Sequence, residues 1–486
     1  MKKMLNSIVI IIFCTIPLLA SAQNSLPFQT DFSIDELKKR REMVMDKVGK
    51  DAVVLLQGAA SITGFEIFRQ TNTFYYLSGI ESGHAYLLLN GASRTTTLYL
   101  PHRDVGRERG EGKVLSFEDA AAIKQLTGID KVQAIENLFK DMIWLGYLRP
   151  PAPLLYTQLS PAETGTDSRD ELLNGMARRA ADPWDGGATR ESLFKKKLLS
   201  NFPQMQIRDL SPILDGMRLI KSATEIEMIR KATQIAGLAI IEAMRSTKPG
   251  IYEYQLDAAA RYIFFLQGAR GQGYASIIAG GTNAWMGHYF RKTDKLKDGD
   301  LVLMDHAPDY RYYTSDVTRM WPVNGTYTAP QKRLTAFILT YRDALFKHIK
   351  PGVTSTDVLK LAAAEMKEYL AANKFVKPAY QKAAEKALQF RGHFQHSVGM
   401  AVHDVGRVRG VTLQPGMVFT IDPMMWIEDE KLYVRIEDIV VVTESGAENM
   451  SAFVPDTIEE IEAEMKKKGV VQFRPPVSLP LEVEKK

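Results

Sequence analysis

The stretch 301-LVLMDHAPDYRYYTSDVTRM-320 decides how this chain is read. Four apolar residues, Leu301 to Met304, run straight into Asp305. Strand character then returns from Tyr312 to Thr318, with Asp316 in its middle. Strands disfavour Asp, and a buried carboxylate without a partner is costly. Two acids at the inner ends of an apolar hairpin therefore need a reason.

The same pattern occurs again downstream. "LKDGDLVLMD" from Leu296 matches "LQPGMVFTID" from Leu413, and Lys248-Pro249-Gly250-Ile251 matches Lys350-Pro351-Gly352-Val353. In each copy a helix precedes the Lys-Pro-Gly turn and another follows it; the first opens on a capping box at Ser222 to Glu225. Two matches in the same order predict two related halves about a pseudo-two-fold axis, each ending in an acidic hairpin. Directly opposed residues of an antiparallel pair share a face. A turn near Tyr310-Arg311 opposes Asp305 to Asp316; one near Asp429-Glu430 opposes Asp422 to Glu437. By alternation, Tyr433, Arg435 and Glu437 also share a face.

Packing two such hairpins together gathers four carboxylates, which one pocket tolerates only with cations present. Singly, each acid could cap a turn or pair with Arg319 or Arg435. Together, at matched positions, they point to metal ions. "HFQHSVGMAVHDVG" adds His393, His396 and His403, with Asp404 beside the last. Carboxylates with one imidazole suit Mn²⁺, Co²⁺ or Zn²⁺ better than soft metals. Two ions about 3.5–4 Å apart, bridged by carboxylates and a hydroxide, form a hydrolytic centre.

The rest of the chain sets the frame. Its 486 residues are 45% hydrophobic and 24% charged, enough for two or more globular domains. Sixty-two basic residues nearly balance fifty-seven acidic ones, and no basic block points to nucleic acid. Lys2 and Lys3, the apolar run Ile8 to Ala20 and the Ala20-Ser21-Ala22 site predict a signal peptide over 1–22 and a secreted or periplasmic protein, with no membrane attachment after cleavage. The one cysteine, Cys14, lies in that segment, so the mature chain has neither disulfide nor thiol nucleophile. Residues 27–211 read as an α/β domain containing the helix Ile34 to Val48 and strands at Ala52 to Gln57, Tyr86 to Leu89 and Thr95 to Leu100. Residues 160–192 read as a surface insertion, 212–460 as the catalytic domain, and 461–486 as a tail.

These segments, in this order, resemble the creatinase, aminopeptidase P and methionine aminopeptidase superfamily, whose catalytic domain has the pita-bread fold. "DHAPDYRYYTSDVTRMWPVNG", "HSVGMAVHDVG", "LQPGMVFTIDP" and "VRIED" are similar to its ligand segments, and "FRQTNTFYYLSGI" to the cap domain of Xaa-Pro aminopeptidases and prolidases. The resemblance implies an α/β (α+β) architecture: a creatinase/prolidase-like N-terminal domain followed by a pita-bread metallopeptidase domain. It also implies that Asp305 ligates one of two divalent ions, that Asp316 and Glu437 bridge them, and that His396 and Asp422 complete the second. His403 would stabilise the tetrahedral intermediate, His288 would contact substrate, and Arg435 would orient Glu437 or contact substrate.

Two positions depart from the family pattern. Asp422 stands where Glu is usual, shorter by roughly 1.5 Å. Gly392 stands where His is frequent, with His393 one residue later. The implied activity is metal-dependent hydrolysis of the bond between an N-terminal residue and a following proline, so the expected partner is a peptide with proline second. A proline amide lacks the N–H that general peptidases use. The alternatives are a prolidase acting on Xaa-Pro dipeptides, with Arg407 or Arg409 holding the free carboxylate, and a catalytically impaired binding protein of the same fold. A homodimer or higher homo-oligomer is expected.

Overall fold

The computed structural model describes residues 29–62, 66–147 and 153–473. The expected signal peptide lies outside them. No helix among the described residues is long and apolar enough to cross a membrane.

The N-terminal part is built on one mixed six-stranded sheet, in the order Lys131–Ala134, Thr95–Leu100, Tyr86–Asn90, Ala52–Gln57, Leu154–Thr157, Ile207–Asp209. Ala52–Gln57 is buried along almost its whole length, as its continuous apolar run requires. Helix Ile34–Val48 spans the predicted range, capped by Ser33, whose hydroxyl accepts from the Glu36 N–H.

The second part repeats itself in three dimensions. Helices Ala223–Ser246 and Glu253–Leu266 lead to strand Leu301–His306; helices Ala329–His348 and Ser355–Ala372 lead to strand Val418–Ile421. Gly250 and Gly352 take matching left-handed conformations, φ 92° and 86°, and so do Gly299 and Gly416, φ 86° and 85°. Those φ values favour glycine, so the repeated glycines in the sequence mark repeated turns. The ties are repeated too: Leu296 N–H donates to Ile251 O and Leu413 N–H to Val353 O, both at 2.8 Å.

Each half supplies a sheet: Ile277–Gly280, Leu301–His306 and Val317–Pro322 in one, Phe394–Ser397, Val418–Ile421, Asp438–Val442 and Ala447–Asn449 in the other. They meet where Thr318 and Glu437 exchange backbone hydrogen bonds of 3.2 and 3.1 Å. This contact is the structural counterpart of the predicted pseudo-axis.

Three expectations are corrected. In the first hairpin the turn is centred on Arg311-Tyr312, both at positive φ, not on Tyr310-Arg311. Thr318 therefore opposes Asp305, and Asp316 lies two residues away on the same face. Tyr312 is held there because its ring stacks on Tyr75 at 3.6 Å and its hydroxyl donates to Glu81. The segment 160–192 is not wholly a surface insertion: Glu163 and Ser168 are buried, and Glu163 is paired to Arg169 and Arg218. Order also continues past 461: helix Ile458–Glu464 crosses that boundary, and the Val470 N–H donates to Glu242.

Candidate active site

The acids lie at strand ends where the two sheets meet, and the fold aims them together. Asp305, Asp316, Asp422 and Glu437 are all at most 4% exposed. Asp316, His396 and Glu437 each offer a ligand atom, all within 4.8 Å of one another. Tyr274, missed in the sequence, sets its hydroxyl between Asp305 Oδ1 at 2.6 Å and Asp316 Oδ1 at 2.8 Å, within hydrogen-bond distance of both. Thr318 Oγ1 donates to Glu437 Oε2 at 2.9 Å.

Arg435 lies at the centre. Its guanidinium reaches Asp305 at 2.6 Å, Asp422 at 2.8 Å and Glu437 at 2.5 Å. The predicted alternation holds, and the pairing of acids with Arg435 occurs alongside the metal-type cluster. Arg319 instead serves Asp438, at 2.7 Å.

One guanidinium does not neutralise four carboxylates. Burial, then Glu437 and Asp305, push the Asp316 carboxyl well above its usual range. Burial likewise raises Glu437, against the pull of Arg435 and with the push of Asp422 and Asp305. Burial opposes ionisation of Asp305, yet Arg435 and Tyr274 hold it below the usual range. His396 is pushed well below the ordinary imidazole value by burial and by nearby His403, so its imidazole is neutral. Among the described residues, Glu437 Oε1 is buried without a hydrogen-bond partner. An orphaned carboxylate oxygen, two carboxyls raised by mutual repulsion and a neutral imidazole fit divalent cations.

The histidine segment separates into three roles. His396 joins the acids, its Nε2 3.5 Å from Asp316 Oδ2. His403 lies against it, ring centroids 4.1 Å apart. His403 is held by the segment expected to be a surface insertion: Asp170 accepts from Nδ1 at 2.6 Å, and Ser168 Oγ accepts from the backbone N–H at 3.2 Å. His393 is a core residue. Its Nε2–H donates to Ala387 O at 2.7 Å, and its Nδ1 accepts from the Met424 N–H at 3.2 Å. A Cβ at Gly392 would come within 2.3 Å of the Phe390 ring, so that ring fills the space a side chain would use.

Asp404 is not a ligand either. It is buried between Arg218, at 2.5 Å, and Lys221, at 3.4 Å, anchoring the loop that presents His403. His288 is exposed and stacks loosely on Phe290, centroids 6.0 Å apart; no hydrogen bond or ring contact joins it to the acids among the described residues. Asp170, Ser168 and Tyr274 escaped the sequence reading because no spacing ties them to the hairpins. The N-terminal part contributes further: Arg69 pairs with Asp309 at 2.9 Å, and Asn72 donates to Met400 O at 3.0 Å. The aromatic segment from Phe68 thus docks on the hairpin and on the histidine loop.

Comparison with known proteins agrees with this geometry. A family model described as metallopeptidase family M24 matches residues 227–444, and one described as aminopeptidase P, N-terminal domain, matches residues 37–145. The Xaa-Pro aminopeptidase of Escherichia coli (strain K12) is 27% identical over 458 residues, 90% of this chain and 98% of that protein. Xaa-Pro aminopeptidase 3 of Mus musculus is 30% identical over 468 residues, 88% and 85% of the two chains. The human Xaa-Pro dipeptidase is 27% identical over 466 residues, 85% and 88% of the two. A solved structure of Escherichia coli aminopeptidase P in complex with substrate superposes with a TM-score of 0.72 at 26% identity, covering 90% of this chain and 98% of that one.

Proposed function

Since this chain belongs to the aminopeptidase P/prolidase family of M24 metallopeptidases and is a metal-dependent aminopeptidase of pita-bread fold, we propose that it removes an N-terminal residue preceding proline, using two divalent ions, with Mn²⁺ first among the candidates. The observation that carries the dinuclear reading is the convergence of Asp316, His396 and Glu437, flanked by Asp305 and Asp422 through Arg435. The Xaa-Pro aminopeptidase names of the relatives support the proline preference. A zinc-substituted aminopeptidase P from Escherichia coli is among the similar structures, which supports Zn²⁺ as a second candidate.

Asp316 and Glu437 would bridge the ions, Asp305 would ligate one, and His396 with Asp422 the other. Lewis-acid polarisation of the carbonyl and activation of water are the chemistry such ions supply. The chain's own groups do the positioning. An ionised Asp170 accepts from His403 Nδ1–H and stabilises the imidazolium, the form in which Nε2–H would also donate toward the scissile carbonyl oxygen as charge develops there. Burial opposes that ionisation, but the bond from His403 holds the Asp170 carboxyl below its usual range. Arg435 holds Asp305, Asp422 and Glu437 in register. His288 is proposed as a substrate contact from the resemblance alone.

Export is proposed from the signal-like 1–22 segment, an N-terminal domain over 27–211 and a catalytic domain over 212–460 from the positions of the family matches, and a homo-oligomer from the resemblance. Hydrolysis of an Xaa-Pro-Xaa tripeptide in added Mn²⁺, set beside an Xaa-Pro dipeptide, tests the reading. Cleavage of the tripeptide supports an aminopeptidase, and cleavage of the dipeptide alone a prolidase. Inactivity toward both, with the metal bound, would favour a binding protein. Light scattering reports the oligomer, and the mass of the exported chain shows whether it begins at Gln23.

A further inference from the structure

Helix Ser355–Ala372 forms one wall of an open groove of about 1340 Å³. The facing wall is made by residues 388–392 and 407–410. Lys360, Lys367, Lys374, Arg391 and Arg407 line it, all exposed, and none is in a salt bridge among the described residues. Glu385 is the one acid in the lining among the described residues. Lys360 and Lys367 are seven residues, two helical turns, apart on one face of the helix, and Lys374 follows just past its end, extending the stripe. Nearby lysines off the stripe behave differently: Lys347, Lys377 and Lys386 each meet a glutamate. The stripe concentrates positive charge beyond what the near balance of the whole chain would give.

One end of the groove lies at the strand that carries His396. Gly392 and Phe394 line it, and Phe394 opens the strand that carries His396. Two residues of strand span about 7 Å. At the same end Arg409 Nε donates to Phe394 O at 3.2 Å, and the Gly410 N–H donates to Ser355 Oγ at 2.8 Å, tying the far loop to the start of the helix. The helix is 18 residues long, about 27 Å, or roughly eight residues of extended peptide.

We propose that this groove receives the C-terminal continuation of the peptide substrate and selects acidic residues in it. The inference rests on the peptidase reading above and adds a substrate class to it. An extended peptide with its N-terminal bond at the metal ligands would leave along the stripe, its carboxylates facing Lys360, Lys367 and Lys374. Leu359 on the helix wall and Leu388 and Phe390 on the facing wall supply apolar contact. Exposed charge pairs are individually weak and screened by salt, so discrimination is cumulative and ionic-strength dependent.

The test uses the full chain with Mn²⁺ and peptides beginning Xaa-Pro-Ala-Ala, followed by four Glu, four Ser or four Lys. At low salt, kcat/KM is expected to fall in that order, about tenfold between the Glu and Lys tails, and to converge near 0.5 M salt. The double variant Lys360→Glu/Lys367→Glu is expected to invert the order and leave cleavage of Xaa-Pro-Ala unchanged. Equal cleavage of the Glu and Lys tails at low salt, with tripeptide activity intact, overturns the groove assignment and leaves the peptidase reading standing. If no Xaa-Pro peptide is cut, the peptidase reading fails instead. Fluorescence anisotropy of the labelled Glu-tailed peptide then decides the groove separately: salt-sensitive binding lost in the double variant supports it, and its absence overturns it. Binding of heparin without discrimination among the tails assigns the stripe to polyanions and also overturns it.

Discussion

Asp170 and His403 are 233 positions apart, yet the Asp170 carboxylate accepts a 2.6 Å hydrogen bond from the His403 imidazole. A helix of the N-terminal part thereby fixes the orientation of a histidine at the metal-type cluster. Asp170→Ala is expected to lower kcat about tenfold, with KM and metal content close to wild type. Asp170→Glu should recover part of the loss. A variant that loses metal in proportion to activity would show that Asp170 supports ligation rather than His403.

Asp316 and Glu437 share one cluster with His396. If each acid is a ligand shared by both ions, replacing either by Ala should abolish most activity together with most bound metal. Elemental analysis of dialysed protein checks this. A variant with full metal content and no activity would move that residue from ligation to catalysis.

Metal binding should be proton-linked. Burial and like charges raise Asp316 and Glu437 above their ordinary range without a cation. Those protons must leave when a cation binds, so metal affinity should rise with pH across the raised range and fall below it. Calorimetry in two buffers of different ionisation enthalpy counts the protons directly. Binding without proton release would refute the electrostatic account.

Burial holds the His393 imidazole down at about 4, against an ordinary 6.5. Its folded value is the lower one, so as pH falls the unfolded chain takes the proton first. The stability this group contributes is complete above about 6.5 and is lost progressively down to about 4, up to roughly 3 kcal/mol. The free energy of urea unfolding should therefore decline less steeply over that window in His393→Gln than in wild type, both measured without metal.

Asp422 is about 1% exposed and bonded to Arg435 Nε at 2.8 Å. A Glu there adds a methylene to a filled site and displaces the guanidinium, costing about 1–3 kcal/mol. Asp422→Glu should therefore lower kcat/KM on Xaa-Pro-Xaa. A clear gain would mean that the shorter acid is a degraded ligand.

Much of this was legible in the sequence because it depends on local rules. The Lys-Pro-Gly and Gly-strand-Asp repeats fix turns at positive φ and strand direction, and alternation placed Arg435 beside Glu437. What was not legible depends on partners far apart. The register of the first hairpin is set by Tyr312 stacking on Tyr75, 237 positions away by number, and no local pattern announces that contact. Asp170 lies in a Gly-, Ala- and Ser-rich stretch whose composition says surface, while Glu163 and Ser168 pull the stretch inward. His393 and His396 look alike as letters; only the bonds to Ala387 O and the Met424 N–H make one of them core.

The bridge between Thr318 and Glu437 also bears on how the molecule is made. Its partners are 119 residues apart, and Glu437 is the last of the cluster to be synthesised. Contacts of such sequence separation form slowly, after local structure. A nascent chain holds Asp305 and Asp316 long before His396, Asp422 and Glu437 exist, so metal capture is expected to close folding rather than nucleate it. Refolding followed by intrinsic fluorescence should show the same early phase with or without Mn²⁺, with the ion altering only the final, slowest step.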